Sequence, residues 1–139
     1  VKHALISLGG NVLALGGKAD GTSFNIGIQK PFEETGVTIS SVKLKDKSAV
    51  TSGIYQRYFE QDGVQYHHIL NPVTGYPYEN NLLSVTIICD SSAEADALST
   101  TCFALGLKAG MKLIEDTPAA EAVFITSDYE MHYSSGYKK

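Results

Sequence analysis

Apolar and polar residues alternate through much of the first half of this chain, and glycine pairs or Asp-Gly interrupt the alternation every few residues. Period-two alternation is the signature of half-buried strands. It predicts strands over 3–8, 11–15 and 24–29, separated by Gly9-Gly10, Gly16-Gly17 and Asp20-Gly21. Together these read as a β-meander. From Val37 to Leu44 the alternation slips by one residue, and a bulge near Ser40-Ser41 would account for the slip. Segments 55–61 and 64–69 flank Asp62-Gly63, a strong short-range signal for a hairpin.

The pattern changes after residue 80. Leu83 to Cys89 is an unbroken β-branched and apolar run of strand length, as expected of a central strand. Beyond it the period becomes helical. Ser91 stands three residues before Glu94 in capping-box spacing, Ala97, Leu98, Cys102 and Leu105 form an apolar stripe, and Gly106 supplies a stop. A second, shorter helix follows over 108–115, closed by Thr117-Pro118, and segments 121–126 and 131–134 flank Ser127-Asp128 as a closing hairpin. Strands followed by helices imply an α+β fold: a mainly antiparallel sheet with one or two helices packed on it, residues 1–139 forming one domain.

Composition narrows the function classes. The chain has 139 residues, 43% of them hydrophobic and 19% charged, within the globular range. A net charge of -4 argues against a nucleic-acid partner, which is ordinarily met by clustered Lys and Arg. Any phosphate must therefore be met by local groups. No apolar run approaches the roughly 20 residues that span a bilayer. The chain opens at Val1 directly in a β-like segment, so a targeting signal, if any, is expected upstream. Cys89 and Cys102 sit in apolar surroundings and read as buried thiols.

The densest chemistry lies in His67-His68-Ile69-Leu70-Asn71-Pro72-Val73-Thr74-Gly75-Tyr76-Pro77. Consecutive turns of this kind can aim several backbone N–H groups into one concavity and so bind phosphate without a large positive charge. Strand alternation lets only one of the two histidines face that concavity. His68, nearer the turn, is the candidate to contact a phosphate oxygen or move a proton. A solvated connection between strands is the plainer reading of the same residues. Asp96 and Thr100, four apart, project from one face of the predicted helix and form a hard-oxygen pair of the kind Mg²⁺ accepts; zinc would ask for His or Cys. An exposed polar helix face is again the plainer reading. Gly9-Gly10 offers a place where backbone can approach a flat ligand, and Thr51-Ser52-Gly53 precedes the hairpin; both can equally be turns alone. Neither is a Walker A loop or a dinucleotide fingerprint.

Taken together and in order, LGGN (8–11), SAVTSGIYQRYF (48–59), HHILNPVTGYP (67–77) and ADALSTTCFALG (95–106) resemble the successive signatures of the ApbE family of FAD:protein FMN transferases, in its C-terminal portion. The resemblance implies an ApbE-like (T-fold-like) half whose N-terminal partner half has no counterpart in these residues. It also implies Mg²⁺ as the metal and FAD as the substrate, with FMN attached to a threonine of an acceptor flavoprotein and AMP released. On that basis Asp96 and Thr100 match metal ligands, while His68, Asn71, Pro72, Thr74 and Gly75 match the motif around the FAD pyrophosphate, with His68 the catalytic candidate. Gly9, Gly10, Ser52 and Gly53 are further candidates for cofactor contact. Asn71 stands where many members carry Asp. The alternatives are hydrolysis of FAD to FMN and AMP, or a catalytically silent flavin-binding or structural module, including a homo-oligomer formed through exposed strand edges. The resemblance also implies a bacterial protein working outside the cytoplasmic membrane or attached to it by an absent N-terminal segment.

Overall fold

The computed structural model describes residues 1–137. Ten strands and one long helix follow in the order β1 (Ala4–Leu8), β2 (Asn11–Leu15), β3 (Phe24–Gln29), β4 (Thr38–Leu44), β5 (Lys47–Gly53), β6 (Tyr58–Gln61), β7 (Val64–His67), β8 (Leu82–Cys89), α1 (Ser92–Glu115), β9 (Glu121–Thr126) and β10 (Met131–Tyr133). The expected α+β class is what the chain adopts.

Six strands form one antiparallel sheet in the order β1-β2-β5-β8-β9-β10. β8 lies inside this sheet, and all eight of its residues are buried. Its period is invisible in the sequence because both faces are covered. Val85, Ile87 and Cys89 meet α1 through Cys102, Phe103 and Ile114, whereas Leu83 and Ile88 join Ala14, Val42, Leu44 and Val123 on the opposite face. Each such buried side chain contributes about 1.5–3 kcal/mol relative to exposure.

The ribbon β3–β4 covers that opposite face. The expected meander is therefore corrected: β2 pairs with β5, and β3–β4 is an excursion between them that pairs only within itself. The bulge falls at Ile39, since Ile28 pairs with Ser40 and Gln29 with Thr38, one residue before the position expected. β5 is a strand the alternation did not reveal, because KSAVTSG is largely buried on both faces and built from small residues. The hairpin β6–β7 turns through Asp62 (φ 53°) and Gly63 (φ 75°), both left-handed as a type I′ turn demands.

α1 runs from an N-cap at Ser91, whose side chain accepts from the Glu94 N–H, and is broken at Gly106 (φ 76°, ψ 174°). That backbone region is open essentially to glycine alone. The break makes the two helical pieces expected from the sequence, and Asn80 Nδ2 takes the Phe103 carbonyl left there at 2.7 Å. The buried face is Ala95, Ser99, Cys102 and Phe103 with Leu98 partly covered, so the expected stripe is corrected: Ala97 faces outward and Leu105 is 50% exposed. No helix among the described residues is long and apolar enough to cross a membrane.

Candidate functional site

The start of α1 and the end of β5 place a set of hydroxyls side by side. Ser52 Oγ lies 2.8 Å from Ser99 Oγ and 3.1 Å from Thr100 Oγ1. Ser99 is completely buried and donates to the Asp96 carbonyl at 3.0 Å. Asp96 and Thr100 are exposed, and their spacing of four sets them one turn apart on the same helix face. The Asp96 carboxylate makes no hydrogen bond or ion pair with any described residue.

Across from this face stands His68. A cleft of about 490 Å³ is lined by His68, Leu70 and Tyr78 on one side and by Thr100, Thr101 and Leu105 on the other. The structure therefore brings the candidate imidazole and the candidate hydroxyl ligand to one cavity, although 32 positions separate them in sequence. His68 is held by its own neighbourhood: its N–H and its Nδ1 both reach the Arg57 carbonyl, at 3.2 and 3.1 Å. A carbonyl only accepts, so Nδ1 carries a proton, and in the neutral imidazole it is Nε2 that has the free lone pair.

His67 is the opposite case. It is buried, its Nε2 donates to the Tyr78 carbonyl at 3.1 Å, its Nδ1 accepts from the Ile69 N–H at 3.3 Å, and its ring meets Phe103 edge to face. Burial holds its pKa below the usual histidine value, against the Tyr78 carbonyl which favours the charged form. It is a core histidine that ties the loop to α1.

The loop beyond His68 differs from expectation. Asn71 N donates to the Tyr76 carbonyl, Gly75 N to the Asn71 carbonyl, Val73 N to Asn71 Oδ1 and Tyr76 N to Thr74 Oγ1. These N–H groups are spent inside the loop, so the expected cradle of backbone donors is not formed by Asn71, Val73, Gly75 and Tyr76. Pro72, Thr74 and Gly75 are exposed at its tip, with Val73 90% exposed, and none of them lines the cleft. Asn71 closes an Asx turn, a geometric role that its amide performs as well as a carboxylate would.

The glycine candidates fall elsewhere. Gly9 and Gly10 make the β1–β2 turn, and Gly10 lines a cavity of about 80 Å³ between the sheet and the β3–β4 ribbon, beside Thr51 and Tyr55. Ser52 points the other way, as strand alternation requires. Asn11, whose Oδ1 accepts from Ser92 Oγ at 2.7 Å, links the glycine turn to the start of α1. At Gly53 an added Cβ would lie 2.7 Å from the Tyr55 ring and 3.2 Å from Ser84 Cβ, so the protein's own side chains occupy that space. Ser99 is a site residue that sequence reasoning missed. Its place within ADALST is the one local signal, and its burial and its partner on β5 are visible only in three dimensions. Burial pushes the Cys102 thiol up to about 11, and it is a core group without nucleophilic character at neutral pH.

The donor set bears on which ion fits. Among the described residues no three His, Cys, Asp or Glu side chains gather as a ready-made metal site. One hydroxyl lining the cleft, with one exposed carboxylate a helical turn away, suits a hard cation that retains water and takes further oxygens from a phosphate; the pair does not suit zinc.

Comparison with known proteins gives this arrangement a family. The ApbE family model matches residues 1–124. The chain is 42% identical to the FAD:protein FMN transferase of Treponema pallidum (strain Nichols), over 96% of the chain and 39% of that protein. It is also 42% identical to the protein of the same name from Klebsiella pneumoniae (strain 342), over 97% of the chain and 41% of that protein. Among solved structures it superimposes on the ApbE protein of Thermotoga maritima MSB8 with a TM-score of 0.84 at 36% identity, covering 96% of this chain and 43% of that one. The chain belongs to the ApbE family. It spans about two fifths of the length of the curated relatives it matches.

Proposed function

We propose that this chain is the part of a FAD:protein FMN transferase that binds the metal and the pyrophosphate, and that the protein carrying it moves FMN from FAD to a threonine of an acceptor flavoprotein. The observation that carries this reading is the single cleft shared by His68 and Thr100, with the free carboxylate of Asp96 one turn away. The names of the relatives supply the reaction; the cleft supplies groups able to perform it.

In the proposed reaction the acceptor hydroxyl oxygen forms a bond to the FMN phosphorus, the bond from that phosphorus to the bridging oxygen breaks, and AMP leaves. Asp96 and Thr100 would hold Mg²⁺, which when bound supplies positive charge to offset the charge developing on the pyrophosphate. His68 takes the hydroxyl proton on Nε2, the nitrogen left free by the Nδ1 bond to Arg57. The Arg57 carbonyl holds the imidazole in the tautomer this step requires. Leu70 and Leu105, both half-exposed at the cleft wall, give the flavin or adenine an apolar surface.

The deciding experiment uses the full protein, FAD, Mg²⁺ and an acceptor bearing a threonine. Mass spectrometry is expected to show one FMN added to that threonine. Asp96→Ala should lower the rate about a hundredfold, the upper end of what loss of even a residue that only supports a metal ligand costs. Because Asp96 is exposed and unpaired, the same variant should keep its stability within about 0.5 kcal/mol. Undiminished transfer by Asp96→Ala would refute the assignment.

A further inference from the structure

We infer that Ser52 and Ser99 are positioning residues that orient the Thr100 hydroxyl as a lone-pair donor, an inference that rests on the metal reading of Asp96 and Thr100. Each hydroxyl has one proton to give. The proton of Ser99 is committed, because its partner at 3.0 Å is the Asp96 carbonyl, which can only accept. In the 2.8 Å contact between Ser52 and Ser99 the donor must then be Ser52. With the Ser52 proton spent, the 3.1 Å contact with Thr100 runs from Thr100 to Ser52. The result is one directed chain, from the Thr100 hydroxyl through Ser52 and Ser99 to the Asp96 carbonyl.

This chain begins on one candidate ligand and ends on the backbone of the other. It draws the Thr100 proton toward β5 and leaves the oxygen lone pairs for the cleft side, as a hydroxyl that ligates a cation requires. Successive hydrogen bonds of one direction also polarise each other, raising the electron density on the terminal oxygen. The next residue shows what happens without such a partner: Thr101 turns its proton back onto the Ala97 carbonyl at 2.8 Å, the ordinary habit of a helical threonine. In the inferred chain, Ser52 gives the Thr100 proton a different acceptor. Because Ser52 lies on β5 and Ser99 on α1, the chain also couples the ligand to the sheet rather than to a loop.

The test is a titration of the full protein with Mn²⁺ standing in for magnesium, free Mn²⁺ being read by electron paramagnetic resonance. Ser52→Ala and Ser99→Ala should each weaken binding about tenfold, the low end for residues that act through a ligand. Ser52→Thr, which keeps the hydroxyl on a strand, should restore affinity to within about twofold of the original by the same reasoning. In a Thr100→Val background, Ser52→Ala should change affinity by less than about twofold, since its effect passes through the missing hydroxyl. Unchanged Mn²⁺ affinity in Ser52→Ala, or an equal loss with and without Thr100, overturns the inference while leaving the metal site in place. Absence of any Asp96-dependent Mn²⁺ binding in the original protein overturns the metal reading and this inference with it. Should Ser99→Ala fail to fold, the Ser52 series alone decides.

Discussion

The two walls of the cleft are built on different principles. On one side, Thr100, Thr101 and Leu105 stand on a capped helix that packs against β5 and β8, and Thr100, with the buried Ser99 beside it, is hydrogen-bonded to Ser52 of a strand. On the other, the segment 68–77 is held by turns that bond to themselves, and its tip is open to solvent. A ligand to a cation needs a lone pair aimed in one direction, which a rigid element supplies. A group that meets a flexible substrate needs only a fixed root, and His68 has one in the Arg57 carbonyl.

Substitutions can break or sharpen this contrast. Phe103 is buried beneath both walls, touching the His67 ring on one side and the core on the other. Phe103→Ala should cost about 3–5 kcal/mol in chemical denaturation and disorder both walls together. Gly106→Ala should cost about 1–3 kcal/mol, because the strain is in the backbone: the added methyl meets nothing within 4 Å. Retained stability there would show that the helix break is not a fixed feature of the helical wall.

His67 offers a pH test of how the loop wall is attached. Its folded pKa is depressed below the model-compound value of 6.5, so the neutral form is favoured in the native state. The unfolded chain then binds the proton first as pH falls, and stability is full above about 6.5 and declines below it. Denaturation midpoints measured from pH 8 to pH 5 should fall more steeply for the original protein than for His67→Gln. The smallest effect is expected at the loop tip, where Val73→Ser should change stability by less than about 0.5 kcal/mol. A large loss there would mean that the tip is packed against something in the folded protein.

Much of the architecture was legible in the chain. The Asp62-Gly63 turn, the Ser91 cap, the Gly106 break and the central strand each follow from a local rule about backbone freedom, capping or apolar runs. The misreadings have different causes. β5 was obscured because burial on two faces erases the periodicity that single-faced burial writes into a sequence, whereas Ala97, a small residue, is compatible with either face of a helix and turns outward. The meander failed because pairing partners of β2 lie beyond an inserted ribbon, and alternation says which face is buried but not which strand is adjacent.

The sequence by itself determined most of the element types, the family and the pairing of Asp96 with Thr100 on one helix face, since all of these depend on neighbours in the chain. Only the tertiary structure decided that His68 shares a cleft with Thr100, that the loop's N–H groups turn inward, and that Ser52 lies within hydrogen-bond reach of Thr100. Those outcomes depend on hydrogen-bond directions between segments far apart in sequence, and local propensity carries no record of them.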